Sequence, residues 1–148
     1  MDIAGRQVEL HVRRSSRVRG NRIVVRYGLP PELVYAGFSL GVMPAQMLAQ
    51  TRAGARGALL FHATLPPSEF DDSWPQGVPL QIHFMEDDPW AEEDLPAARE
   101  IAETVSGAEL FLYPGDRHLF ADSSLPDYDE HCAMLLKQRA LGFLGRVD

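Results

Sequence analysis

Cysteine is almost absent. Cys132 stands alone in 148 residues, so no disulfide can form within the chain, and nothing in the composition points to an oxidising compartment. Long apolar runs are absent too. None approaches the ~20 residues of a membrane span, and the opening MDIAGRQVELHVRR holds no apolar core of a secretory signal. The expectation is a cytoplasmic protein with no membrane partner. There is no internal repeat and no low-complexity tract, and the length suits one domain.

Negative charge predominates, with a formal −7, but it is unevenly spread. Residues 1–30 carry seven arginines against Asp2 and Glu9, a balance of +5, while residues 31–148 carry seven Lys/Arg against nineteen Asp/Glu, a balance of −12. An acidic body argues against nucleic acid as a partner. The basic N-terminal segment lacks the interleaved aromatics and the motifs of a nucleic-acid arm. Residues 1–27 are therefore set apart as an atypical basic segment, and residues 28–148 as the domain.

Within the basic segment, QVELHV (7–12) and IVVRY (23–27) are weak strand candidates, followed by the breaker GLPPE. Beyond it the signals alternate. Residues 33–38 read as a short apolar strand, 40–52 as a helix and 55–63 as a buried strand. A loop with three prolines spans 65–77, and 78–85 is a further strand. Asp94 is the expected N-cap of the next helix, with Pro96 in its first turn and Gly107 closing it. Residues 108–113 form another strand. The last helix is expected from near Pro126, with Tyr128, Cys132, Leu135, Leu136, Ala140, Phe143 and Leu144 drawing one apolar stripe. Strands alternating with helices imply an α/β fold with a mostly parallel sheet, whose sites form at the carboxyl ends of the strands.

One turn carries chemistry. Gly37-Phe38-Ser39-Leu40-Gly41 is a G-x-S-x-G pattern between a strand and a helix. Such a turn holds its serine in a strained conformation that lifts the hydroxyl clear of the sheet, and side chains at both glycine positions are expected to collide. The N–H groups of the following helix favour developing negative charge. A serine nucleophile needs a base, and the base an orienting carboxylate. Glu86-Asp87-Asp88 ends one strand and His118 follows another, so Ser39, an acid at 86–88 and His118 converge on one sheet edge. His62 ends the strand between and either touches substrate or is a core or rim histidine. Phe38, Trp90 and Phe120 adjoin the three candidates and line an apolar pocket unless they are core. His83 is read as structural and Cys132 as a buried small hydrophobe. One acidic turn beside His83 offers too few convergent oxygens for a hard cation, so no metal is expected.

From about Gly28 onward the chain resembles the dienelactone hydrolase family of α/β-hydrolases. The stretches that carry the resemblance are YAGFSLG, VPLQIHFMEDDPW, LFLYPGDRHLFADSSLPDYDEHCA and LLKQRALGFL. It implies an α/β-hydrolase-like three-layer sandwich. It makes Ser39 the nucleophile, Asp88 (just ahead of Pro89-Trp90) the triad acid, His118 the base and the Leu40 N–H an oxyanion donor. Family members proper use cysteine where Ser39 stands, so the resemblance implies an esterase-like relative that acts on a small ester or lactone and needs no cofactor. Relatives are longer ahead of the nucleophile, which implies that N-terminal strands and the loop giving a second oxyanion donor are missing here. The rival expectation is a catalytically impaired remnant that self-associates as a homo-oligomer.

Overall fold

The computed structural model describes residues 30–147. The two N-terminal strand candidates and the basic segment lie outside them. Four strands form the framework: β1 (Leu33–Phe38), β2 (Ala55–Phe61), β3 (Leu80–Met85) and β4 (Ala108–Tyr113). All pairings are parallel, in the spatial order β1-β2-β3-β4. The apolar runs bounded by proline and glycine end where the sequence leads one to expect for β1 and β4.

Helices α1 (Val42–Thr51) and α2 (Leu95–Thr104) make the crossovers from β1 to β2 and from β3 to β4. Right-handed crossovers between neighbouring strands place both helices on one face. One core indeed gathers Val42, Ala45 and Ala49 of α1, Ala98 and Ile101 of α2, and the strand residues Tyr35, Ala58, Leu60, Leu80, Ile82 and Phe84. The β2–β3 connection has no long helix. Its buried Trp74, whose Nε1 donates to the Val78 carbonyl at 2.6 Å, covers that face instead.

The opposite face is closed by α3 (Glu130–Val147), whose Cys132, Leu136 and Phe143 pack on Leu59, Phe61, Met85 and Tyr113. Of the expected stripe, Cys132, Leu135, Leu136, Ala140 and Phe143 pack on this face, but Leu144 is exposed and Tyr128 lies ahead of the helix, which starts at Glu130 rather than near Pro126. Asp129 is the cap: its Oδ1 accepts from the Cys132 N–H at 2.9 Å, a donor that a helix beginning earlier would have left to its own ladder. That hydrogen bond holds the Asp129 carboxyl below its usual range.

The parallel register aligns Phe38, Phe61, His83 and Phe111 in one row across all four strands. Successive ring centres are 4.4, 5.2 and 5.2 Å apart, and the Arg139 guanidinium caps the row 4.3 Å from the Phe111 centre. Among the described residues β1 pairs only with β2, so the row ends at Phe38, which is half exposed.

Candidate active site

Ser39 follows β1 directly and begins a short 3-10 turn that leads into α1. Its φ is +48°, a left-handed value that is strained for a residue with a side chain. Gly37 explains how the turn closes: a Cβ there would lie 2.2 Å from the Gly41 carbonyl oxygen. Gly41 departs from expectation. It has φ −69°, and a Cβ on it would meet nothing within 4 Å, so the collision expected at both glycines arises at the first only.

The acid arrives on the turn after β3. Asp88 is buried, whereas Glu86 and Asp87 are exposed, and this selects it from the three carboxylates. Its Oδ1 accepts from the Trp90 N–H at 2.9 Å. The base arrives on the turn after β4. The two turns are tied together, with the Glu86 N–H donating to Tyr113 O at 2.9 Å and the Asp87 N–H to Gly115 O at 3.0 Å. Gly115 has φ +126°, and a Cβ on it would press 2.9 Å from Met85 Sδ, which also accepts from the Arg117 N–H at 3.2 Å. Met85, Gly115 and Arg117 were not singled out from the sequence; only their contacts show that they aim the histidine loop.

The three side chains singled out from the sequence meet. Ser39 Oγ lies 2.8 Å from His118 Nε2, and His118 Nδ1 lies 2.6 Å from Asp88 Oδ2. The His118 side chain is mostly covered and that of Asp88 wholly so. The hydroxyl, the imidazole and the carboxylate thus form one continuous chain of hydrogen bonds.

The expected pocket residues separate into three kinds. Phe38 is exposed beside Ser39, as is Leu40, the residue expected to offer the oxyanion N–H. Trp90 is exposed with its ring centre 6.0 Å from that of His118, on the rim of the site. Phe120 is fully buried and packs edge-on to His62 at 4.8 Å and against Tyr113 at 5.1 Å, so it supports the site from behind instead of lining it. His62 is 1% exposed, too covered to line an open pocket, and its ring centre is 5.8 Å from that of His118. Burial, with repulsion from His118 and against attraction from Asp88, pushes the His62 pKa down to about 4. The strand expected over 55–63 stops at Phe61 because His62 turns left-handed, with φ +67°.

His83 is fully buried in the structural role expected of it. Nδ1 is 2.9 Å from the Tyr113 hydroxyl, Nε2 is 3.2 Å from Gln81 Oε1, and burial, Arg139 and His62 lower its pKa to about 3. Asp94 holds the expected N-cap position of α2, with Pro96 in the first turn, but its side chain makes no capping hydrogen bond. Its Oδ2 accepts from the Thr64 N–H at 3.1 Å, and burial raises its carboxyl pKa against that hydrogen bond. Two clefts, of about 550 Å³ beside Trp74 and Glu100 and about 440 Å³ beside Arg56 and Arg146, are lined by none of Ser39, Asp88 and His118. No helix among the described residues is long and apolar enough to cross a membrane.

Comparison with known proteins gives a consistent result. The sequence model of the dienelactone hydrolase family matches residues 20–147. No curated protein matches. Among solved structures, a dienelactone hydrolase-like promiscuous phosphotriesterase from metagenomic libraries superposes with a TM-score of 0.62 at 18% identity, over 77% of this chain and 52% of that one. A candidate dienelactone hydrolase from Klebsiella pneumoniae subsp. pneumoniae MGH 78578 superposes with a TM-score of 0.56 at 17% identity, over 74% of this chain and 50% of that one. The chain thus spans about half the length of these solved neighbours and shares their fold.

Proposed function

The chain belongs to the dienelactone hydrolase family, and from that membership and the site geometry we propose that it is a serine hydrolase of small esters or lactones. The observation that carries the reading is the relay from Ser39 through His118 to Asp88, with links of 2.8 and 2.6 Å. Ser39 Oγ attacks the carbonyl carbon while His118 Nε2 takes its proton. The oxyanion is met by the Leu40 N–H in the 3-10 turn ahead of α1. His118 then protonates the leaving alkoxide, and water releases the acid from the acyl-enzyme. Asp88, desolvated and fixed by the Trp90 N–H, holds the imidazole tautomer and supports the imidazolium. No cofactor enters this scheme, and the partner is the small-molecule ester or lactone itself.

The test is labelling of the purified chain with a fluorophosphonate probe, read by intact mass beside Ser39→Ala and His118→Ala. A single adduct lost in both variants is the expected result, and a folded protein that takes no adduct would overturn the proposal. A second reading, an impaired hydrolase that self-associates, draws on one observation: β1 is an edge of the described sheet, with Phe38, Leu40 and Met43 exposed beside it. Absence of the adduct together with a concentration-dependent mass in solution would favour that reading.

A further inference from the structure

His62 bears two costs that another residue would remove. Its φ of +67° suits glycine, and its buried surroundings suit phenylalanine. Both ring nitrogens are buried, and neither has a hydrogen-bond partner among the described residues. An unpaired buried polar group costs about 1–3 kcal/mol. Its surroundings are specific: Phe120 holds the ring edge-on, while Phe38, which precedes the nucleophile, and His118 each lie 5.8 Å away centre to centre. With a pKa of about 4 the ring is neutral near pH 7, so it offers one N–H and one lone pair and sets no permanent charge against a His118 imidazolium.

Burial to 1% leaves no room for a substrate group, and both ring nitrogens are closed to water as the structure stands, so a lone oxygen reaches them only when the side chains around the ring shift. A ring nitrogen and its hydrogen bond together reach about 4 Å from a ring centre. Two imidazoles 5.8 Å apart can therefore share one oxygen between them. In the free enzyme His118 Nε2 is engaged by Ser39 Oγ. Once Ser39 carries the acyl group, Nε2 loses that partner and must find a water.

We propose that His62 positions the water that hydrolyses the acyl-enzyme. The inference rests on the serine hydrolase reading above. The water oxygen bonds to the acyl carbonyl carbon while one of its protons passes to His118 Nε2 and the other is held by the His62 lone pair. The tetrahedral intermediate then collapses. The bond between carbon and Ser39 Oγ breaks, and the proton on His118 returns to Oγ. His62 ends with the proton it began with.

The experiment follows p-nitrophenyl acetate through a single turnover with enzyme in excess. Release of nitrophenolate reads acylation, and decay of the acetyl adduct by rapid-quench intact mass reads deacylation. His62→Phe is expected to acylate within about threefold of wild type but to deacylate about 10²-fold more slowly, the scale of a misplaced reactant. His62→Gly suits the left-handed φ and serves where the phenylalanine variant does not fold. It is expected to show the same slow deacylation, restored by added imidazole. Unchanged deacylation in these variants, or an equal loss in both steps that imidazole does not restore, would overturn the inference. Nitrophenolate release that does not depend on Ser39 in the wild-type chain would instead overturn the hydrolase reading and this inference with it.

Discussion

Gly37 and Gly41 look equivalent in G-x-S-x-G, yet the structure asks different things of them. A Cβ on Gly37 would meet main-chain atoms of Gly41 and Val42 within 2.7 Å, and main chain cannot swing away as a side chain can. Gly37→Ala is therefore expected to cost about 3 kcal/mol or more in urea unfolding, at the upper end of overpacking penalties. Gly41→Ala, in open space with a right-handed φ, is expected to stay within about 0.5 kcal/mol of wild type. Asp88 gives the second prediction at this scale. Asp88→Asn keeps the size of the side chain but favours the wrong imidazole tautomer. Esterase kcat is expected to fall by about 10⁴, as in the related serine triads, with unfolding little changed. A loss of only a few-fold would show that Asp88 does not orient His118. From the residues alone the acid stayed open among 86–88 and only the family resemblance implied Asp88, whereas its burial and its contact with His118 set it apart from its two neighbours.

The secondary-structure elements show why the sequence could be followed along the chain but not everywhere between strands. β1 and β4 were legible as short apolar runs between breakers although both are only partly buried, whereas β3 is buried throughout and still carries Gln81 and His83. Helix α1 falls within the expected 40–52, but two of its buried residues are glutamines. Gln46 Nε2 donates to Leu65 O at 2.7 Å, and its Oε1 accepts from the Leu65 N–H at 3.0 Å. Gln50 Nε2 donates to Pro67 O at 2.9 Å. These bonds fix the chain that leaves His62, and nothing in their spacing announces them. Helix α3 shows the converse. Its stripe was plain, but its start depended on which polar residue caps it. Asp129→Ala is expected to destabilise the protein by about 1 kcal/mol, the usual value of an N-cap. An equal effect from Asp127→Ala in the same urea titration would count against Asp129 as the cap.

At the scale of the whole molecule, the buried imidazoles couple folding to pH. His62 and His83 titrate near 6.5 when unfolded and at about 4 and about 3 when folded. Above pH 6.5 neither state holds these protons and they cost nothing. As pH falls below 6.5 only the unfolded chain binds them, so stability declines until pH reaches the folded values. For His62 alone the loss approaches roughly 3 kcal/mol near pH 4. Urea midpoints measured from pH 7 to pH 4.5 are expected to fall more steeply for wild type than for His62→Phe. Parallel curves would show that His62 is not held neutral by the fold.

By itself the sequence determined the alternation of elements, the strand-turn-helix around Ser39 and the order of Ser39, the acidic turn and His118 along the strand ends, because each depends on local spacing and backbone preference. Only the tertiary structure decided which carboxylate meets His118, that Phe120 stands behind the site and that His62 is sealed beside it without a partner. Those outcomes depend on how three parallel crossovers bring separate strand ends together, and on which polar groups that convergence removes from water.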